Sequence, residues 1–66
     1  MQILVNNQSH DVNPDFTVSQ LLQYLQQPLF GTAVAINQKV ISRSKWDETF
    51  LQEHDSVLII KATCGG

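Results

Sequence analysis

Apolar and polar residues alternate at the start of the chain, with Ile3 and Val5 on one face and Leu4 on the other, so Met1 to Val5 reads as a short strand. Asn6-Asn7 follows, and Asn tolerates positive φ, which predicts a tight hairpin turn into a returning strand from Gln8 to Val12. That second strand is mostly polar and belongs at a sheet edge, and Asn13-Pro14-Asp15 ends it. Thr17-Val18-Ser19-Gln20 then has the form of a capping box, with Phe16 and Leu21 spaced as a hydrophobic staple. Val18, Leu21, Leu22 and Leu25 lie on one stripe at helical spacing, and Pro28 is expected to stop that helix.

The second half returns to period two. Thr32 to Ile36 reads as a strand, with Val34 and Ile36 facing one way and Ala33 and Ala35 the other. Asn37-Gln38 turns it into Lys39-Val40-Ile41. Ser42 to Thr49 is polar apart from Trp46 and reads as an irregular or 3₁₀ segment, after which Phe50 and Leu51 are expected to dip to the core. Ser56 to Lys61 is the last strand, and Thr63-Cys64-Gly65-Gly66 reads as a flexible tail. The order β-β-α-β-β-β suits an α+β roll, with one helix on one face of a mixed sheet and the first and last strands parallel at its centre.

Size and composition narrow the function classes. With 66 residues and 7.4 kDa, residues 1–66 form one small domain, since so short a chain buries only about 60% of its unfolded surface. The 42% hydrophobic content is that of a folded protein. A net charge of −2, with four Lys and Arg in all, makes no basic face for nucleic acid. The one Cys excludes an internal disulfide, and one Cys with two His cannot complete a zinc site. No apolar run approaches the roughly 18 residues of a membrane span. Met1 leads into Gln2-Ile3-Leu4 with no basic region, so a cytosolic location is expected. A core this small can hardly enclose a catalytic pocket, which favours a carrier, binding or structural role over an enzyme.

The Gly65-Gly66 end has a chemical use. Without Cβ atoms it can thread a narrow channel into another protein's active site and leave its carboxyl carbon unhindered. A free carboxylate is ionised at neutral pH and is a poor electrophile, so it would need activation by ATP as an acyl-adenylate. Residues 62 to 66 extend about 17 Å, enough to enter a partner's cleft. Taken alone, such an end also fits chains that merely finish in small residues.

Read from end to end, the chain resembles the ThiS family of sulfur carriers, within the ubiquitin-like β-grasp class. The resemblance rests on Met1-Gln2-Ile3-Leu4-Val5-Asn6, on Ala35-Ile36-Asn37-Gln38-Lys39-Val40-Ile41 and on Arg43-Ser44-Lys45-Trp46. Leu51, Asp55-Ser56-Val57 and the final Gly65-Gly66 complete it. It implies a β-grasp roll and a protein substrate in place of a catalyst. A ThiF-like adenylating enzyme, using ATP and Mg²⁺ with no cofactor bound to this chain, would activate Gly66. A persulfide donor would convert it to a thiocarboxylate, and a ThiG-like thiazole synthase would take the sulfur in thiamine biosynthesis. Gly65 would let the tail thread. A molybdopterin-type sulfur carrier, a ubiquitin-like protein modifier and a plain binding module are the alternatives. The sequence departs from the family at His54, where Gly is usual in a turn that wants positive φ, and at Cys64, whose thiol could react with an activated Gly66.

One further reading comes from the residues themselves. Val57 and Ile59 should face the helix, which leaves Leu58 and Ile60 on the open sheet face with Leu4 and Ala35 beside them. With Cys64, these are the candidate partner-binding residues, because a contiguous apolar patch on an open face suggests docking. Trp46 is expected to lid the core, Arg43 to be a surface or tail-proximal contact, and His10 and His54 to be solvated loop residues. A nucleophilic set of Cys64, His54 and Asp55 is rejected, since adjacent side chains on a turn point apart.

Overall fold

In the computed structural model, which describes residues 1–27 and 31–61, the opening alternation becomes β1 (Gln2–Val5), paired antiparallel with β2 (Gln8–Asp11). Asn6 and Asn7 join them with φ of 49° and 68°, the positive pair that a two-residue hairpin needs to match strand twist. The strand ends one residue before Val12, which is buried and donates its N–H to the Met1 carbonyl at 2.9 Å. His10 lies opposite Ile3 in the ladder, so it shares the inner face and sits edge-on to Tyr24 at 6.4 Å. It is therefore a strand residue against the helix, not the solvated loop residue expected.

Helix α1 (Val18–Tyr24) starts at the capping box. The Gln20 N–H donates to Thr17 Oγ1 at 3.2 Å, and Thr17 N–H donates back to Gln20 Oε1 at 2.9 Å. Phe16, ahead of the cap, packs against the core. Val18, Leu21 and Leu22 are fully buried and Leu25 partly so, as the stripe predicts. The helix ends by a device the sequence reading missed. Gln26 adopts φ 58° while Gln27 N–H donates to the Leu22 carbonyl at 2.9 Å and Gln26 N–H to that of Gln23 at 3.0 Å. This is a Schellman closure with Gln where Gly is usual. It terminates the helix ahead of Pro28, which lies outside the described residues. Because a side chain in the left-handed region is strained, Gln26→Gly should stabilise the fold by about 0.5–1 kcal/mol. The expected readout is a higher urea midpoint with an unchanged slope.

Strands β3 (Thr32–Ile36) and β4 (Lys39–Ile41) form the second hairpin, again through two positive φ values, 51° at Asn37 and 72° at Gln38. A 3₁₀ turn at Arg43–Lys45 then swings Trp46 under the sheet. Trp46 is buried, and its indole N–H donates to the Ile41 carbonyl at 3.0 Å, which satisfies the polar edge of a core lid. Arg43 is exposed, as expected. Of the next pair only Leu51 enters the core, whereas Phe50 is exposed. Adjacent residues of an extended segment point opposite ways, and Phe50 bridges Thr17 through the backbone. His54 takes φ 68° in the turn before β5 (Ser56–Lys61), the positive φ its position called for.

The sheet order is β2-β1-β5-β3-β4, with β1 and β5 parallel at the centre and every other pair antiparallel. Polar β2 is an edge, as expected. Ile3, Val5, Val34 and Val57 from the sheet meet Val18, Leu21 and Leu22 of the helix in one core cluster. The opposite face of the sheet has no helix over it among the described residues.

Candidate functional site: the open sheet face and the root of the tail

Cross-strand partners in a ladder share a face, so the register places the candidate docking residues. Leu58 lies opposite Ala35, Ile60 opposite Ala33, and Leu4 opposite Ser56. Leu58 is 49% exposed, Ile60 50% and Leu4 40%, whereas Val57 and Ile59 between them are buried. Three large aliphatic side chains therefore stand on the open face of the two central strands. Ala35 lies on the same face but is only 9% exposed. Its methyl sits between longer neighbours and forms the floor of the patch, offering little contact surface of its own.

The structure adds Val40, which the sequence reading did not single out. It pairs with Ala35 and is 76% exposed, the most accessible large aliphatic among the described residues. A three-residue strand is too short to display alternation, yet the two-residue Asn37-Gln38 turn already fixes Ile36 against Lys39 and Ala35 against Val40. The signal was present in the turn length.

Strand β5 carries the patch and leads directly to the tail. Cys64, Gly65 and Gly66 lie outside the described residues. What the structure does describe is how the root of the tail is held. Asn6 N–H donates to the Val57 carbonyl at 2.9 Å, where the backbone of β1 turns away. The Asn6 side chain then continues the ladder. Its Oδ1 accepts from Ile59 N–H at 2.8 Å, and its Nδ2 donates to the Ile59 carbonyl at 3.4 Å. An amide side chain here stands in for a peptide group. Sequence reasoning took Asn6 as a turn residue alone, and its preference for positive φ masked this second role.

Asn6→Gly separates the two roles, because Gly keeps the turn and removes the clamp. The expected cost is about 1–2 kcal/mol from an unpaired N–H and carbonyl on Ile59. Amide exchange at Ile59 should quicken relative to Val34 in the core, and unchanged protection there would show that the clamp is idle.

Polar groups near the other end of β5 are committed to structure. The buried Asp55 carboxylate accepts from Gln52 N–H at 2.8 Å and from Asn37 Nδ2 at 3.0 Å, and Asn37 Oδ1 accepts from Ser56 N–H at 3.0 Å. Asp55 therefore fastens the second hairpin to the turn before β5. Among the described residues, no cluster of three His, Cys, Asp or Glu could hold a metal ion, and no helix is long and apolar enough to cross a membrane.

Comparison with known proteins agrees with the geometry. The family model for the ThiS family matches residues 3–66. The sulfur carrier protein ThiS of Escherichia coli K12 is 38% identical over 66 residues, covering 100% of both chains. The crystal structure of the thiamine biosynthesis protein ThiS from Geobacter metallireducens superposes with a TM-score of 0.86 at 26% identity, over 100% of both chains. A solution structure of a thiamine biosynthesis protein from the same organism gives a TM-score of 0.81 at 26% identity, over 100% of this chain and 88% of that one. A ubiquitin-like β-grasp fold, a family match over nearly the whole sequence and a relative of equal length together settle the assignment: the chain belongs to the ThiS family.

Proposed function

We propose that this protein carries sulfur in thiamine biosynthesis on the carboxyl of Gly66, as a substrate of partner enzymes. The observation that carries the reading is the full-length similarity to a sulfur carrier, which runs through β5 to Gly65-Gly66. The chemistry follows from the carboxylate. Its oxygen attacks the α-phosphorus of ATP at a ThiF-like enzyme that supplies Mg²⁺, and pyrophosphate leaves. A persulfide's outer sulfur then displaces AMP from the acyl carbon to give an acyl disulfide, and a second thiol of the donor system attacks the donor's inner sulfur, forming a disulfide there and releasing the thiocarboxylate. A ThiG-like thiazole synthase accepts that sulfur.

In this scheme the chain's own residues bind and position. Leu4, Leu58, Ile60 and Val40 dock the adenylating enzyme, with Ala35 as floor. Asn6 anchors the strand from which the tail leaves, and Gly65 lets the end thread. Docking through β5 suits this purpose because the same strand continues into the tail, so fixing one fixes the origin of the other. Cys64, next to the Gly pair in the sequence, would enter the same channel as the tail threads.

The test is fragment mass spectrometry after incubation with ATP, an adenylating enzyme and a persulfide donor. One oxygen at Gly66 should be replaced by sulfur, and fragments must place the change there because oxidation of Met1 or Cys64 adds nearly the same mass. A Gly66 left untouched by an enzyme that loads another carrier would overturn the proposal.

A further inference from the structure

A hollow of about 240 Å³ lies beside the docking patch, at the end of the sheet where β1 begins. Gln2 and Leu4 of β1, Ser9 of β2 and His54 of the turn before β5 line it. Leu4 and Ser9 are cross-strand partners and Gln2 is two residues from Leu4, so all three share the open face. The turn is bound to the same strand. His54 N–H donates to the Gln2 carbonyl at 2.7 Å, and Gln2 N–H donates to Glu53 Oε2 at 2.9 Å. The second bond sets a carboxylate at the edge of the hollow, 3.9 Å from His54 Nε2, and both side chains are exposed. The four Lys and Arg residues stand elsewhere. Lys39 is on edge strand β4, Arg43 and Lys45 are in the turn after it, and Lys61 is at the other end of β5. The Met1 ammonium is tied to Asp11 Oδ1 at 3.3 Å and to the Val12 carbonyl at 2.7 Å.

We infer that this hollow receives an arginine side chain of the adenylating enzyme, a second anchor that fixes how the chain is turned on the docking face. Glu53 supplies the counter-charge. Exposed Gln2 and Ser9 carry side-chain oxygens that accept from a planar fork of N–H donors. The His54 ring and Leu4 offer flat and aliphatic surface on which a guanidinium stacks and which a compact lysine ammonium uses poorly. An apolar patch holds a partner but does little to set its rotation. Leu4 pairs with Ser56, five residues before Lys61, so the hollow lies about 16 Å back along the strand from the end of β5. Anchors that far apart fix the direction in which β5 points on the enzyme. The inference deepens the sulfur-carrier reading and rests on it, because it takes the adenylating enzyme as partner.

His54 separates folding from binding. It is held at φ 68°, where a Cβ is strained and glycine is at ease. His54→Gly should therefore raise the urea midpoint while weakening binding of the cognate adenylating enzyme about fivefold by calorimetry. Glu53→Gln keeps an acceptor for Gln2 N–H and removes the charge, so it should weaken binding about tenfold and flatten its salt dependence. In double-mutant cycles Glu53→Gln should be non-additive with alanine replacement of one arginine on the enzyme's docking surface. Variants that bind like the parent, or that couple to no enzyme arginine, overturn the inference, and coupling to a lysine overturns the guanidinium assignment. A His54→Gly chain that loses both midpoint and affinity would assign His54 to folding and remove it as a wall of the site. Loading of Gly66, read by mass on the same mixtures, separates the two proposals. Normal loading with unaffected variants sinks only this inference, whereas a parent chain that neither binds nor loads sinks both.

Discussion

Deletion of Gly66 is expected to reduce sulfur loading at least about 100-fold while leaving the thermal midpoint unchanged. The new terminus would still be a glycine carboxylate, with the same intrinsic reactivity. What changes is reach, because one residue shortens the extended tail by about 3.3–3.6 Å. A misplacement of about 1 Å at a reacting centre can already cost about 10²-fold. The core should not respond, since it closes before the tail begins: Val57 and Ile59 are buried, and the Asn6 clamp ends at Ile59. The measurement is the initial rate of thiocarboxylate formation with adenylating enzyme in excess, alongside thermal unfolding. A truncated chain that loads at the normal rate would show that reach does not matter. Loss of both rate and midpoint would instead assign the tail to folding.

The fold was largely legible in the sequence because each turn carries its own chemistry. Asn6-Asn7 and Asn37-Gln38 both take paired positive φ, and the capping box forms with both of its hydrogen bonds. The parallel pairing of β1 with β5 followed from topology, and burial alternates along β5 as its pattern predicts. Illegible features are those in which one residue serves two ends. Asn6 is both turn and clamp, and Gln26 stops a helix in a conformation for which Gln has no preference. His10 was misread because its polarity suggested solvent, whereas an edge strand still has an inner face. Phe50 was misread because two adjacent apolar residues cannot both face the core of an extended segment. In the candidate site, Leu4, Leu58 and Ile60 were readable from alternation, while the burial of Ala35 and the exposure of Val40 depend on which strands become neighbours.

Leu58→Glu is expected to weaken binding of the adenylating enzyme by about 2 kcal/mol or more, close to 30-fold in Kd. Leu58 lies at the middle of β5, between Leu4 on one side and Ala35 and Val40 on the other, so it occupies the centre of the patch. Central, desolvated positions carry most of an interface's energy, and an unpaired carboxylate buried there costs more than the lost aliphatic contact. In the free protein the same substitution should change stability little. The side chain is 49% exposed, its backbone pairing is kept, and no core residue loses a neighbour on the helix side. Val40→Glu, on edge strand β4, should weaken binding less than Leu58→Glu despite the greater exposure of Val40, because rim positions contribute less than central ones. Titration calorimetry against the adenylating enzyme would rank the two. If both variants bind like the parent, the open face is not the docking surface. If Val40→Glu is the more damaging, the contact is centred on the β3–β4 edge, and the enzyme approaches the tail from the side of the sheet.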